Sequence, residues 1–232
     1  HHDKRELEPV IEQHVPLPPL VAPKTQYPPK PKPVLPPLPE ELQEMVARVE
    51  RFMNHELNVF PEATILLCVS GGVDSMVMLD IFAYLSHKYD FSIHVGHCNH
   101  HLRGEDSHED ERLVKRVTHK YGLYYHHTSL KVQEFATKHK NSVEQAARTL
   151  RYHFFEKMAK TTVSHFVATA HTADDSAETF LLNLLRGSGL TGLAGIPARR
   201  ELSKRVHVIR PMLPLLKSEV IQYATLRGLE WR

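Results

Sequence analysis

The stretch ILLCVSGGVDSM, residues 65–76, joins an apolar run to a glycine pair and then to hydroxyl and carboxylate groups. Ile65 to Val69 has the length and composition of a buried strand. Gly71 and Gly72 let the backbone approach a ligand and free N–H groups to form an anion nest. The helix expected from about Asp74 adds the partial positive charge of its N-terminus. Ser70 and Ser75 contribute hydroxyl donors. The arrangement suits a phosphate or a pyrophosphate. It is not the G-x-x-x-x-G-K-[ST] loop, because no lysine follows, and it is not G-x-G-x-x-G. Asp74 would repel a phosphate unless a divalent cation bridged the two. The plainer alternative is that Asp74 or Ser75 caps the helix.

Around this stretch strands and helices alternate. Leu42, Met45, Val46, Val49, Phe52 and Met53 recur at helical spacing, which predicts an amphipathic helix over 40–57. Strands are expected at 64–69, 91–97, 123–130, 163–170 and 206–209. Helices are expected at 74–88, 106–121, 131–139, 142–159, 174–186 and 217–227. Gly122 reads as a helix stop, and Ser142 with Gln145 has the form of a capping box. This order predicts an α/β fold, a doubly wound parallel five-stranded sheet covered on both faces. Ligands in such folds sit outside the carboxyl ends of the strands, which selects residues 70–75, 97–103 and 170–178.

Composition sets the domain plan. Twelve of the sixteen prolines fall between Pro9 and Pro39. Residues 1–39 are therefore expected to be an extended, polyproline-like arm, disordered and acting as a tail or spacer. Roughly 190 residues of globular composition remain from 40 to 232, enough for one well-buried core. Twenty-nine basic against twenty-seven acidic residues exclude nucleic-acid binding by bulk charge alone. A local patch is left, with Arg199, Arg200, Lys204, Arg205 and Arg210 in one short stretch. Two cysteines, Cys68 and Cys98, and no secretory signal point to a reducing, cytoplasmic setting. No apolar run reaches the roughly 18 residues of a membrane span.

The second junction, HVGHCNHHLRGEDSHEDE, carries His94, His97, His100 and His101 with Cys98 and Asp106. Zinc-ligand spacing is missing, and His94 and His97, three apart in a strand, face opposite sides. The third junction reads TAHTADDSAETFLLNLLRGSGLTGLAGIP. As a helix from Asp174 it places Ala177, Phe180, Leu181, Leu184 and Leu185 on the buried side. Asp175 and Glu178 share another face near the helix start. With His171 they suit a cationic substrate or a metal, although first-turn carboxylates also complement the helix dipole. In SVEQAARTLRYHFFE, residues Glu144, Arg148 and Arg151 share one helix face.

These residues carry a resemblance. SGGVDS is similar to the signature of the PP-loop, or N-type, ATP pyrophosphatases, which cleave ATP to AMP and pyrophosphate. HCNHHLR at 97–103, AARTLRY at 146–152, TAHTADDSAET at 169–179 and RPMLPLLKSEV at 210–220 resemble segments of the tRNA(Ile)-lysidine synthetases. The resemblance covers about residues 63–232. It implies ATP-dependent ligation of L-lysine to C2 of the wobble cytidine of tRNA(Ile) with a CAU anticodon, through an adenylated intermediate. It places nucleotide contacts at Ser70, Gly71, Gly72, Val73, Asp74, Ser75 and His97. It places Asp74, Arg151, His171, Asp175 and Glu178 in the catalytic centre, with Mg²⁺ on Asp74 through the ATP phosphates. A homodimer is among the assemblies it allows, and the tRNA-gripping domain that follows in the family is expected to lie beyond Arg232. A tRNA thiolase of the same superfamily, which usually needs C-x-x-C, an ATP-dependent amidotransferase and a non-catalytic nucleotide- or tRNA-binding module are the rival readings.

Overall fold

The computed structural model describes residues 26–100, 105–187 and 194–232. The arm before residue 26, the motif positions His101, Leu102 and Arg103, and residues 188–193 of the glycine-rich tail lie outside them.

The chain begins its regular structure with α1 (Glu40–His55), whose Leu42, Met45, Val46, Val49 and Met53 are buried at the expected helical spacing. Then follow β1 (Thr64–Cys68), α2 (Val73–Tyr89), β2 (Ser92–Asn99), α3 (Glu105–Lys120) and β3 (Tyr124–Ser129). After these come α4 (Val132–His139), α5 (Val143–Thr162), β4 (Phe166–Ala168) and α6 (Ala173–Leu185). The hairpin β5 (Arg199–Ser203) and β6 (Val206–Ile209) precedes α7 (Lys217–Leu226). Local signals act as read from the sequence. Gly122 takes φ +67 after α3, and Ser142 Oγ accepts from Gln145 N at 3.1 Å to cap α5.

The sheet is α/β and mostly parallel, in the order β3-β2-β1-β4-β6-β5. It has six strands rather than the five expected. The sixth, β5, pairs antiparallel with β6 and forms one edge. Its sequence RRELS has no apolar alternation, so its place comes from the hairpin and not from hydrophobic pattern. The chain winds from β1 out to β3, then returns across α4 and α5 to β4 on the other side of β1. The reversal between β1 and β4 is the topological switch point.

Alternation along the central strands builds two cores. Ile65, Leu67, Ile93 and Val95 face α1, α2, α3 and α7. Leu66, Cys98, Val167 and Val208 face α4 and α5. At Gly96 a Cβ would lie 3.1 Å from Phe155 Cε1, so glycine lets α5 lie close on β2.

Two expectations need correction. Residues 26–39 are extended but not a free spacer. Tyr27 packs edge-on against the rings of His94, Tyr124 and His126. Lys30 Nζ sits 4.1 Å over the Tyr124 ring, and Tyr124 OH donates to Pro28 O at 2.6 Å. Lys32 Nζ reaches Ser86 O at 2.6 Å and Asp90 Oδ1 at 2.8 Å, and Leu35 and Leu38 pack on the first core. The stretch is a strap passing the amino ends of β2 and β3, giving proline-rich backbone the side-chain anchors that its composition alone does not predict. The second correction concerns α6. None of its residues is buried among the described residues, and Phe180, Leu181, Leu184 and Leu185 are 40%, 55%, 52% and 83% exposed. Periodicity defined an apolar face correctly, but no described element packs over it.

Candidate active site

The three junctions chosen from the sequence meet. A cleft of ≈ 760 Å³ opens at the carboxyl ends of β1, β2 and β4. Its walls include Ser70, Gly72, Val73, Asp74, Ser75, His97, Arg151, His171 and Asp175. Gly71 shapes the loop from behind. Its φ of +97 is a conformation that L side chains rarely adopt, and it lets the chain turn from β1 into α2. Glu178, expected in the centre, is exposed on α6 and does not line the cleft.

The loop satisfies itself. Ser75 Oγ accepts from Ser70 N at 3.1 Å and Gly71 N at 3.2 Å, while Ser70 Oγ accepts from Gly72 N at 3.3 Å. Ser75 Oγ also donates to Gly72 O at 3.0 Å, so its hydroxyl both fills the nest as an acceptor and acts as a donor. An anion entering the nest would take over those N–H groups and free the hydroxyls to donate to it.

Asp74 sits in the first turn of α2. Its Oδ2 accepts from Lys217 Nζ at 2.7 Å, and its Oδ1 is buried with no hydrogen-bond partner. Lys217 opens α7, and its own backbone N–H donates to Asp174 Oδ2 at 2.6 Å. The lysine missing after the glycine pair is therefore supplied from another helix. Sequence reading placed it in a family-like segment, RPMLPLLKSEV, but no local spacing ties it to the loop.

Three histidines, His97, His100 and His171, line the cleft, and burial lowers the pKa of each. His97 Nδ1 bonds Val69 O at 2.8 Å, so that nitrogen carries the proton. Its Nε2 is then a bare acceptor, buried and without a partner. Burial lowers its pKa, outweighing the upward pull of the Val69 bond, Glu111 and Asp110. His171 Nδ1 lies 2.9 Å from Thr169 Oγ1. Its pKa is lowered by burial first, then by Arg210, with Asp175 pulling the other way.

Asp175 has two duties. Its Oδ2 accepts from Thr172 N at 2.7 Å and from Thr172 Oγ1 at 3.1 Å, closing a capping box at the start of α6. Asp175 thus serves the start of α6 through Oδ2, while the residue also lines the cleft. Cys68 and Cys98 lie on the floor. Burial pushes the Cys98 thiol up to about 12 and the Cys68 thiol well above its usual value, so both are protonated.

α7 is fixed from below. Asp80, fully buried on α2, accepts from Tyr121 OH, from Tyr223 OH at 2.6 Å, and from Arg227 Nε at 2.9 Å and Nη2 at 3.2 Å. The hub joins α2, α3 and the end of α7, so Asp74 and Lys217 project from two helices already locked together.

A parallel sheet with a glycine nest at the switch point, an aspartate in the first helical turn and no loop lysine defines a class. The chain matches the PP-loop domain model over residues 42–232 and belongs to that family. Its sequence is similar to two tRNA(Ile)-lysidine synthases in particular. That of Bacteroides thetaiotaomicron is 40% identical over 176 residues, 76% of this chain and 39% of the relative. That of Chlorobaculum tepidum is 38% identical over 168 residues, 72% of this chain and 49% of the relative. The chain thus spans less than half the length of these relatives. Among solved structures, the U34-tRNA thiolase NcsA of Methanococcus maripaludis superposes with a TM-score of 0.70 at 18% identity, covering 82% of this chain and 65% of that one. The NH3-dependent NAD synthetase of Campylobacter jejuni gives 0.53 at 16% identity, over 81% and 73%. These two share the fold.

Proposed function

We propose that this chain is the ATP-using domain of a tRNA(Ile)-lysidine synthase, joining L-lysine to C2 of the wobble cytidine of tRNA(Ile)(CAU). The observation that carries the reading is one cleft holding an anion nest at 70–75 opposite a neutral His171 and the cap acid Asp175. Similarity to tRNA(Ile)-lysidine synthases supports the choice of substrates, and the geometry supports the chemistry.

The nest, the α2 N-terminus and Lys217 together offer positive potential for the β- and γ-phosphates of ATP. His97 Nε2 is an acceptor suited to the exocyclic amine of adenine. Asp74 Oδ1, buried and unpartnered, fits a hard cation such as Mg²⁺. When bound there, Mg²⁺ supplies charge neutralisation for the departing pyrophosphate. The C2 oxygen of cytosine leaves poorly until it is adenylated, which explains why cleavage falls between the α- and β-phosphates.

The second half reaction needs a deprotonated amine. Lysine's ε-amine has a pKa of about 10.4, so only roughly one molecule in a few thousand is a nucleophile at pH 7. Asp175 Oδ1 would hold the ammonium, and neutral His171 would accept its proton as the C–N bond forms and AMP leaves. Mg²⁺, lysine and the CAU anticodon belong to this proposal. A thiolase reading asks for reactive thiolates, and burial keeps Cys68 and Cys98 protonated.

The test is incubation with ATP, lysine and tRNA(Ile)(CAU), followed by nucleoside mass spectrometry. A lysine adduct on cytidine is expected. Its absence, alongside normal folding, would overturn the reading. Asp74→Ala is expected to abolish pyrophosphate release while keeping the melting profile.

A further inference from the structure

We propose that Arg148, Arg151, Arg200 and Arg210, gathered around Tyr152, seat a backbone phosphate of the RNA strand beside the base being modified. This rests on the ligase reading above and deepens it.

The arginines converge from three elements. On α5, residues 148, 151 and 152 share one face. On the edge hairpin, Arg200 lies opposite Val208, two residues before Arg210. Strand alternation sends the neighbouring Arg199 to the other face, where it reaches Leu57 O and Phe166. The guanidinium carbons of Arg200, Arg148 and Arg151 stand 4.8, 5.4 and 5.9 Å from the Tyr152 ring centroid. Arg200 and Arg210 both act electrostatically on the Tyr152 phenol.

Among the described residues no carboxylate answers this charge. Among the described residues none of the four arginines forms an ion pair. Arg210 is only 3% exposed, and its buried Nε has no partner although Nη1 donates to Pro197 O. Burying a guanidinium among like charges is costly. The strain shows in the neighbours. Burial raises the Tyr152 phenol, yet Arg200, Arg210 and Arg148 together bring it below its usual range. Such an arrangement is completed by an anion.

Three features select a nucleic-acid phosphate. The pyrophosphate of ATP already has the nest after β1, whereas Arg200 and Arg210 of this cluster stand on the β5–β6 hairpin side of the switch point. A single carboxylate needs one bidentate guanidinium, not four. The cluster also runs from the cleft wall at Arg151 and Tyr152 to exposed Arg148 and the edge hairpin. A strand entering from outside with one base turned into the cleft would touch that whole track. The basic stretch seen in the sequence from Arg199 to Arg210 thus has a use in two of its members.

The experiment titrates a fluorescent anticodon stem-loop RNA with a CAU loop into wild type and Arg148→Ala/Arg200→Ala over a salt series. Both residues are at the surface, and melting curves verify the fold. Binding about tenfold weaker is expected, with a log–log salt slope shallower by about 0.7 for the one seated phosphate. ATP affinity is expected to stay at the wild-type value. Equal RNA affinity and slope in the two proteins would overturn the seat. So would wild type that shows no RNA affinity at low salt. A raised lysine KM with unchanged RNA affinity would assign the cluster to the lysine carboxylate and also overturn it. Wild type that binds RNA through these arginines but forms no lysine adduct would sink the ligase reading and leave the seat standing.

Discussion

Lys217 Nζ lies 2.7 Å from Asp74 Oδ2, although 143 residues separate the two in sequence. The pair joins the first turns of α2 and α7 at the mouth of the anion nest. A PP-loop without its own lysine therefore still has an ammonium beside it. Because the aspartate is partly neutralised, its carboxylate no longer repels a phosphate fully.

Lys217→Ala is expected to lower pyrophosphate release by about ten- to a hundredfold, the loss of one charge-assisted contact. Lys217→Arg should restore part of the rate. Steady-state release assays check this. An unchanged rate in Lys217→Ala would make the pair purely structural.

Ser75→Ala removes the acceptor for Ser70 N and Gly71 N. The ligand-free protein should lose about 1–2 kcal/mol, as for loss of a cap. Saturating ATP should recover most of that loss, because phosphate oxygens replace the hydroxyl. Thermal melts with and without nucleotide measure both effects.

Asp175→Asn is expected to raise the KM for lysine, with a modest fall in melting temperature from the weaker capping box. Glu178→Gln serves as the contrast. It lies off the cleft, and lysine KM should stay as in wild type. A lysine KM that rises for Glu178→Gln and not for Asp175→Asn would reverse the assignment.

Asp80→Asn leaves Arg227, 8% exposed at its side chain, without its counter-charge. Removing one member of a buried pair typically costs about 3–5 kcal/mol. Tyr223→Phe should cost about 1 kcal/mol, one hydrogen bond. Denaturant unfolding distinguishes the two. Pyrophosphate release by Asp80→Asn should fall as well, since Lys217 rides on the loosened helix.

The strap gives the acid limb of stability. Burial first, then His126 and Lys30, lower the His94 pKa from 6.5 to about 4. The unfolded chain therefore binds protons more readily than the folded one between these values. Stability is full above the unfolded value and is lost as pH falls through the window. His94→Gln should flatten that limb in part. Other histidines, His97, His126 and His171 among them, are lowered too and keep the remainder.

What could be read from sequence was what is local. The nest, the spacing of α1, the Ser142 cap and the three junctions each depend on neighbours within a few residues. The misses are non-local. β5 has two arginines and a glutamate and becomes a strand only because β6 lies beside it. The apolar face of α6 announces itself by period, but period does not reveal whether anything covers it. Lys217 and the arginines around Tyr152 come from different elements, and only the folded sheet brings them together.

The strap from Tyr27 to Leu38 meets the sheet at the amino ends of its strands, on the opposite side from the nest. Assembly and turnover are therefore addressed from opposite poles of the molecule. A dye attached in place of Val34, which is 97% exposed, would report release of the strap without touching the nest. Loss of that signal before loss of ATP binding would show the amino-terminal pole letting go first, with the nucleotide pole still intact.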